Sequence, residues 1–221
     1  VTSELIGKIW NEDCLETMKR MEDGSVDLIV TDPPYGIGGL WVGGSGNGWG
    51  PTDKEKRVRN AWDSAIPTGK HFAEMFRVAD TLIIWGGNYF PLPPSRCWLL
   101  WVKPERNFTL AEAECAWTNA DSVTRVWEGN RHLPNREHPT QKPLELISWC
   151  MAQSWSRGFG TVYDPFMGSG TTAVACERLG RKWIGSEINP DYCKIAERRI
   201  EAVRSQGNLF PYSTQLERPE R

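Results

Sequence analysis

No run of apolar residues in this 221-residue chain is long enough to cross a bilayer, and its first residues carry no signal-peptide pattern. A cytoplasmic protein is expected. The Cys-x-x-Cys spacing is also missing. The six cysteines (Cys14, Cys97, Cys115, Cys150, Cys176, Cys193) are scattered, so neither a zinc site nor a disulfide framework is expected. They read as free, buried thiols in a reducing compartment. An excess of positive charge is lacking too: 26 Lys and Arg face 28 Asp and Glu, a net charge of −2. That balance excludes a nonspecific nucleic-acid coat and leaves nucleic-acid contact to local basic patches. No internal repeat is present, and the length suits one domain with at most a small insertion. What the chain has in abundance is tryptophan, twelve residues of it. Most suit a core or a subunit contact, others a stack on bases, and a small, tryptophan-rich chain is expected to form a homodimer.

Strands and helices alternate along the chain. "GKIW" reads as a short strand, followed by a helix through Leu15, Met18 and Met21 that Asn11 or Asp13 can cap. "VDLIV" is an almost unbroken apolar run, the pattern of a strand covered on both faces. Residues 36–60 have no periodicity and read as a loop insertion with a basic exit, "KEKRVRN". "HFAEMFRVA" predicts a helix and "TLIIWGG" a strand. "CWLLWVK" and "AECAWTN" predict a hairpin, and Asp121 to Glu137 an irregular polar segment. "QKPLELISWCMAQSW" predicts a helix with Pro143 near its first position. "GTVYDPFMGSGTTAVACERLG" reads as strand, glycine turn and helix, stopped by Gly180. "KWIGSEI" is a further strand, and a last helix begins at Asn189 and Pro190, with its apolar stripe at Tyr192, Ile195, Ile200 and Val203. This alternation predicts an α/β fold with a mostly parallel sheet.

Two stretches carry chemistry. Gly168-Ser169-Gly170-Thr171-Thr172-Ala173 fits G-x-G-x-x-G/A between a strand and a helix, and Glu187 follows Gly168 by 19 positions at the end of the next strand. The glycines let a ligand approach the backbone, the helix N-terminus offers free N–H groups, and Glu187 can accept from both hydroxyls of a ribose. Asp164, just before the turn, would repel a pyrophosphate but suits the ammonium of an amino acid. S-adenosylmethionine is therefore favoured over NAD.

The second stretch is Asp32-Pro33-Pro34-Tyr35, at the end of the "VDLIV" strand. The prolines stiffen the turn and remove N–H donors, leaving carbonyl oxygens. Asp32 and the Pro33 carbonyl are paired acceptors beside the flat face of Tyr35. That combination suits a planar ring bearing an amino group.

Together these stretches resemble the DNA amino-methyltransferases that act on adenine N6 or cytosine N4. "DPPY" is similar to their catalytic motif and "DPFMGSGTT" to their S-adenosylmethionine loop. Because the catalytic motif precedes the cofactor loop, the arrangement resembles the permuted β-class. That class also has an acidic residue after its first strand, as Asp13 stands here, and an "HPTQKP" element, as at His138 to Pro143. The resemblance implies one methyltransferase domain over 1–221, with a Rossmann-like, mostly parallel seven-stranded sheet and helices on both faces. It implies a bacterial, archaeal or phage-encoded enzyme, in a role such as restriction-modification. Asp32, Pro33, Pro34 and Tyr35 would hold the target base. Asp164, Phe166, Gly168, Ser169, Gly170, Thr171, Thr172 and Glu187 would hold the cofactor, with Asp13 at its adenine. Thr140, Gln141 and Lys142 would lie near its methionine end, and Asp32 beside both ligands. The partner would be DNA with its target base flipped out of the duplex. No metal is needed.

The chain departs from the family in target recognition, for which only about 118–137 remains. Lys54, Lys56, Arg57 and Arg59, and a second cluster of Arg125, Arg131, His132 and Arg136, are candidate phosphate contacts. Trp41 and Trp49 are candidate wedges. Asp at the first catalytic position leans toward adenine in this family and Ser toward cytosine. A cytosine-N4 enzyme is the alternative. An NAD-dependent oxidoreductase would leave Asp32 unexplained, and a catalytically silent DNA-binding subunit would leave the filled catalytic positions unexplained.

Overall fold

The computed structural model of the chain describes residues 3–37, 66–104, 111–130, 141–153, 155 and 160–206. Its strands are β1 (Ile9–Trp10), β2 (Val26–Thr31), β3 (Ala79–Trp85), β4 (Cys97–Val102), β5 (Ala113–Thr118), β6 (Arg125–Glu128), β7 (Thr161–Asp164) and β8 (Lys182–Ser186). The helices are α1 (Cys14–Met18), α2 (Gly69–Val78), α3 (Leu144–Met151), α4 (Thr171–Leu179) and α5 (Pro190–Ser205). All eight strands join one sheet in the order β1-β8-β7-β2-β3-β5-β4-β6. Only β5 runs against the others.

Burial explains the centre of the sheet. β2 and β3 alternate their side chains between two cores. Leu28, Val30, Ile83 and Trp85 pack against α3, α4 and α5 on one face. Ile29, Leu82 and Ile84 pack against α1 and α2 on the other. Both faces are covered, so the strands read as unbroken apolar runs. Asp13 caps α1, its Oδ1 accepting the Leu15 N–H at 2.8 Å. Asn189 caps α5 through the Asp191 N–H, with Pro190 in the first turn. Gly180 ends α4 with φ +64°.

Among the described residues the sheet has eight strands, where seven were expected. The extra one, β6, lies in the segment read as irregular, and it pairs in parallel with β4, Trp101 opposite Trp127. Only Val126 and Trp127 are apolar there, too few for a periodic signal. The strand forms on the free edge of β4, where the Trp127 ring meets Trp101 edge-on at 6.2 Å. Helix α3 stops at Met151, short of the expected Trp155. The Arg181 guanidinium donates to the Met151 carbonyl at 3.3 Å, serving one of the acceptors a helix leaves open at its end. The stripe that α5 buries is Cys193, Ala196 and Ile200. Tyr192, Ile195 and Val203 are half-buried at its flanks. All six cysteines are free, and only Cys115 is not fully buried. Among the described residues, no helix is long and apolar enough to cross a membrane.

Candidate active site

A doubly covered parallel sheet binds ligands beyond the C-terminal ends of its strands. Asp32 follows β2, Asp164 ends β7 and Glu187 follows β8. Because β5 is antiparallel, its beginning, with Glu114, lies at the same sheet edge as Lys103, the residue after β4.

The turn after β7 is closed from several sides. Gly168 and Gly170 have φ of +53° and +82°. A Cβ on Gly170 would stand 2.7 Å from the Ala196 Cβ, so glycine there lets α5 pack against the turn. Asp164 is 4% exposed. Its Oδ1 accepts from the Thr31 hydroxyl at 2.7 Å and the Phe166 N–H at 3.1 Å, and its Oδ2 from the Thr172 hydroxyl at 2.6 Å. Burial pushes its pKa up to about 6, against the pull of those donors. Asp164 thus braces the turn from within. The Arg199 guanidinium, from α5, donates to the Ser169 carbonyl, the Ser169 hydroxyl at 3.0 Å and the Thr171 hydroxyl at 3.3 Å. Ser169, Thr171 and Thr172 are all buried.

Glu187 closes the other side, accepting the Gly168 N–H at 2.8 Å on Oε2 and the Asn189 N–H at 2.8 Å on Oε1. Burial raises its pKa. Beside it is a cleft lined by Asp13, His71, Phe166, Glu187 and Ile188. Ile188 is 71% exposed, an apolar side chain held open at the cleft. His71 stands at the start of α2, its Nδ1 taken by the Thr68 backbone and hydroxyl, its Nε2 3.9 Å from Asp13. Asp13, Cys14 and His71 bring ligand-type atoms within 4.8 Å of one another. Burial and Asp13 push the Cys14 thiol up to about 12, so it keeps its proton at neutral pH.

Around Asp32 the structure builds a half-buried chain of charges. The Tyr35 hydroxyl donates to Asp32 Oδ1, and the Lys142 ammonium to Asp32 Oδ2 at 2.6 Å. Lys142 also lies 3.1 Å from Glu114 Oε2, and Glu114 Oε1 pairs with Lys103. Lys103 and Lys142 are 4% and 7% exposed. Burial opposes the Lys142 charge, but Asp32 and Glu114 outweigh it and hold its pKa well above the ordinary lysine value. Burial opposes the Glu114 charge as well, and Lys142 and Lys103 bring it down to about 2. Burial raises Asp32, with Lys142 pulling the other way. The Tyr35 ring stacks on Tyr89 at 5.0 Å and 18°, with Phe90 edge-on at 6.1 Å. A Cβ on Gly86 would come within 2.1 Å of the Tyr35 ring, so glycine is what lets the tyrosine lie there.

The structure thus brings Asp13, Asp164, Phe166, Gly168 and Glu187 together at one turn and cleft, and Asp32, Tyr35 and Lys142 next to them. Lys142, expected near a methionine end, sits on the Asp32 carboxylate. Gln141 directly precedes it, half-buried. Arg125 is exposed on β6. Trp41, Trp49, Lys54, Lys56, Arg57, Arg59, Arg131, His132, Arg136 and Thr140 lie outside the described residues. Sequence reading missed Lys103, Glu114, Arg199, His71 and Ile188. Only Ile188 had a signal, a lone apolar residue beside the expected ribose acid.

A family model described as DNA methylase, of the N6/N4 type, matches residues 52–198. The type II methyltransferase M2.DpnII of Streptococcus pneumoniae is 26% identical over 240 residues, covering 87% of this chain and 88% of that protein. The crystal structure of M1.HpyAVI in complex with SAM superposes with a TM-score of 0.53 at 23% identity, over 87% of this chain and 98% of that one. The cytosine-N4-specific PvuII DNA methyltransferase superposes with a TM-score of 0.56 at 15% identity, over 89% of each chain.

Proposed function

This chain belongs to the N6/N4 DNA methylase family, and from that premise we propose that it transfers a methyl group from S-adenosylmethionine to the exocyclic N6 of adenine in DNA. The observation that carries the reading is the 2.7 Å hydrogen bond from Thr31 to Asp164. It joins the strand end bearing Asp32 to the strand end that begins the glycine turn, so an amine acceptor and a nucleoside cradle share one sheet edge.

The cleft residues fit the cofactor. Ile188 and Phe166 offer apolar surface for a purine, Asp13 a nearby acceptor, and Glu187 acceptor oxygens for a ribose. When bound, the cofactor supplies an electrophilic methyl group on a sulfonium. The remaining requirements fall on the chain. The base amine is a weak nucleophile because its lone pair is conjugated with the ring. Asp32 accepts one amine hydrogen and the Pro33 carbonyl the other, so the nitrogen pyramidalises and its lone pair is freed. Asp32 also takes the proton the amine must lose, a task that its burial-raised pKa favours. The contribution is positioning and fixed electrostatics. The target base must leave the duplex to reach this half-buried carboxylate, and we read the active form as a homodimer.

Adenine is preferred over cytosine because Asp32 opens the motif. The test is incubation with labelled S-adenosylmethionine and mixed-sequence duplex DNA, then digestion and mass identification of nucleosides. N6-methyladenine is the expected product. N4-methylcytosine would move the substrate and keep the mechanism, and no methylated nucleoside would overturn the reading. Asp32→Ala should abolish transfer while leaving the fold intact.

A further inference from the structure

The chain of charges does not end at the groups proposed to meet the ligands. Lys142 is held between two carboxylates from different parts of the sheet, Asp32 after β2 and Glu114 on β5. Glu114 is held in turn by Lys103, after β4. The two lysines are almost completely buried, and the Asp32 and Glu114 side chains are 24% and 26% exposed, so the four groups form a neutral, half-buried set in which each charge depends on its neighbour.

We propose that Glu114 and Lys103 are positioning residues for methyl transfer, fixing the Lys142 ammonium so that it sets the orientation and the charge state of Asp32. The inference rests on Asp32 being the acceptor of the amine hydrogen. Each Asp32 oxygen has one lone-pair direction engaged, Oδ1 by the Tyr35 hydroxyl and Oδ2 by Lys142. Those two donors pin the carboxylate plane, and each oxygen keeps a second lone-pair direction with which a base amine can bond. A lysine with four rotatable carbons does not hold one position by itself. Glu114 supplies the second anchor that removes this freedom, and Lys103 keeps Glu114 from turning away. The hairpin of β4 and β5 thereby serves the acceptor without touching substrate.

Among the described residues, the charged and titratable groups facing Lys142 and Asp32 are Tyr35 after β2, Glu114 on β5, Lys103 after β4 and Asp164 at the end of β7. Glu114→Gln keeps the shape and removes one negative charge. The loss favours ionised Asp32 and disfavours protonated Lys142, so both groups should titrate at lower pH.

The test begins with the carboxyl 13C resonance of Asp32 in the cofactor-free protein, assigned by its loss in Asp32→Asn. In Glu114→Gln its midpoint should fall by about one unit. With DNA and S-adenosylmethionine, kcat should drop about tenfold or more, with KM for both ligands within about threefold, and both limbs of the pH–rate profile should move toward acid. Lys103→Met should reproduce part of the kcat loss, and Lys103→Arg should restore it. If Glu114→Gln does not fold, the charge-balanced double variant Lys103→Met/Glu114→Gln is measured in its place, with shifts in the same direction but of smaller size expected, because Glu114 is nearer to Lys142 than Lys103 is. A folded variant whose Asp32 midpoint and pH profile match the parent overturns the proposal. Failure of the parent protein to methylate DNA would instead overturn the functional reading, while the 13C midpoint still tests the electrostatic link.

Discussion

The Thr31 hydroxyl and the Asp164 carboxylate, 133 positions apart in the chain, meet at 2.7 Å across the seam between β2 and β7. This strut ties the Asp32 turn to the glycine turn. Thr31→Val keeps the shape and deletes the donor to a buried carboxylate. It should destabilise the protein by about 1–3 kcal/mol, read from the midpoint of urea unfolding at constant m-value. An unchanged midpoint would mean the strut carries no energy.

Asp164 makes stability depend on pH in a direction opposite to that of a salt-bridged carboxylate. Burial raises its pKa from 3.8 to about 6 in the folded protein. Between those values the folded state binds more protons than the unfolded one, so stability falls as pH rises through the window. Replacing it with Asn removes that slope. The stability of Asp164→Asn relative to the parent should therefore improve by roughly 2 kcal/mol between pH 4 and pH 6.5. Urea titrations at several pH values measure this, and parallel curves for the two proteins would count against it.

Arg199 holds the glycine turn from outside through Ser169 and Thr171. Arg199→Met frees the turn without entering the cleft. Calorimetry should find S-adenosylmethionine binding weakened by about tenfold, roughly 1.4 kcal/mol. At saturating cofactor, kcat should stay within about threefold. A large fall in kcat with unchanged affinity would assign Arg199 a different part.

The two turn glycines should respond unequally to alanine. At Gly168 a Cβ meets nothing within 4 Å, so the cost is that of a left-handed backbone, about 1–2 kcal/mol. At Gly170 the same backbone cost is joined by a collision with Ala196, for about 2–5 kcal/mol in all. Thermal unfolding of Gly168→Ala and Gly170→Ala should rank them in that order.

Much of this architecture was legible because covered strands are written in long apolar runs. "VDLIV" and "TLIIW" could be placed without their neighbours, and the glycine turn stood out through residues that few other conformations require. The edge strand β6 was not legible, because four residues with two apolar members acquire their conformation from β4. Glu114 and Lys103 were hidden for a related reason. A charged residue in or beside a strand reads as solvent-facing, and these two are drawn inward by partners far away in the sequence: Glu114 by Lys142, much later in the chain, and Lys103 by Glu114. Arg199 lies in "ERRIEAV", where nothing distinguishes an arginine that clamps a turn from its exposed neighbour Arg198.

The order of strands in the sheet also governs how the protein can come into being. β2 has β3 close behind it, but its other flank stays open until residues 161–164 are synthesised, and β1 has no partner until β8 exists. Folding therefore cannot keep pace with emergence from the ribosome. The central strand β2 waits, one edge bare, for the last third of the chain. This is a topology of high contact order, in which closing the central seam is a late event and the nascent N-terminal half is the stretch most in need of a chaperone.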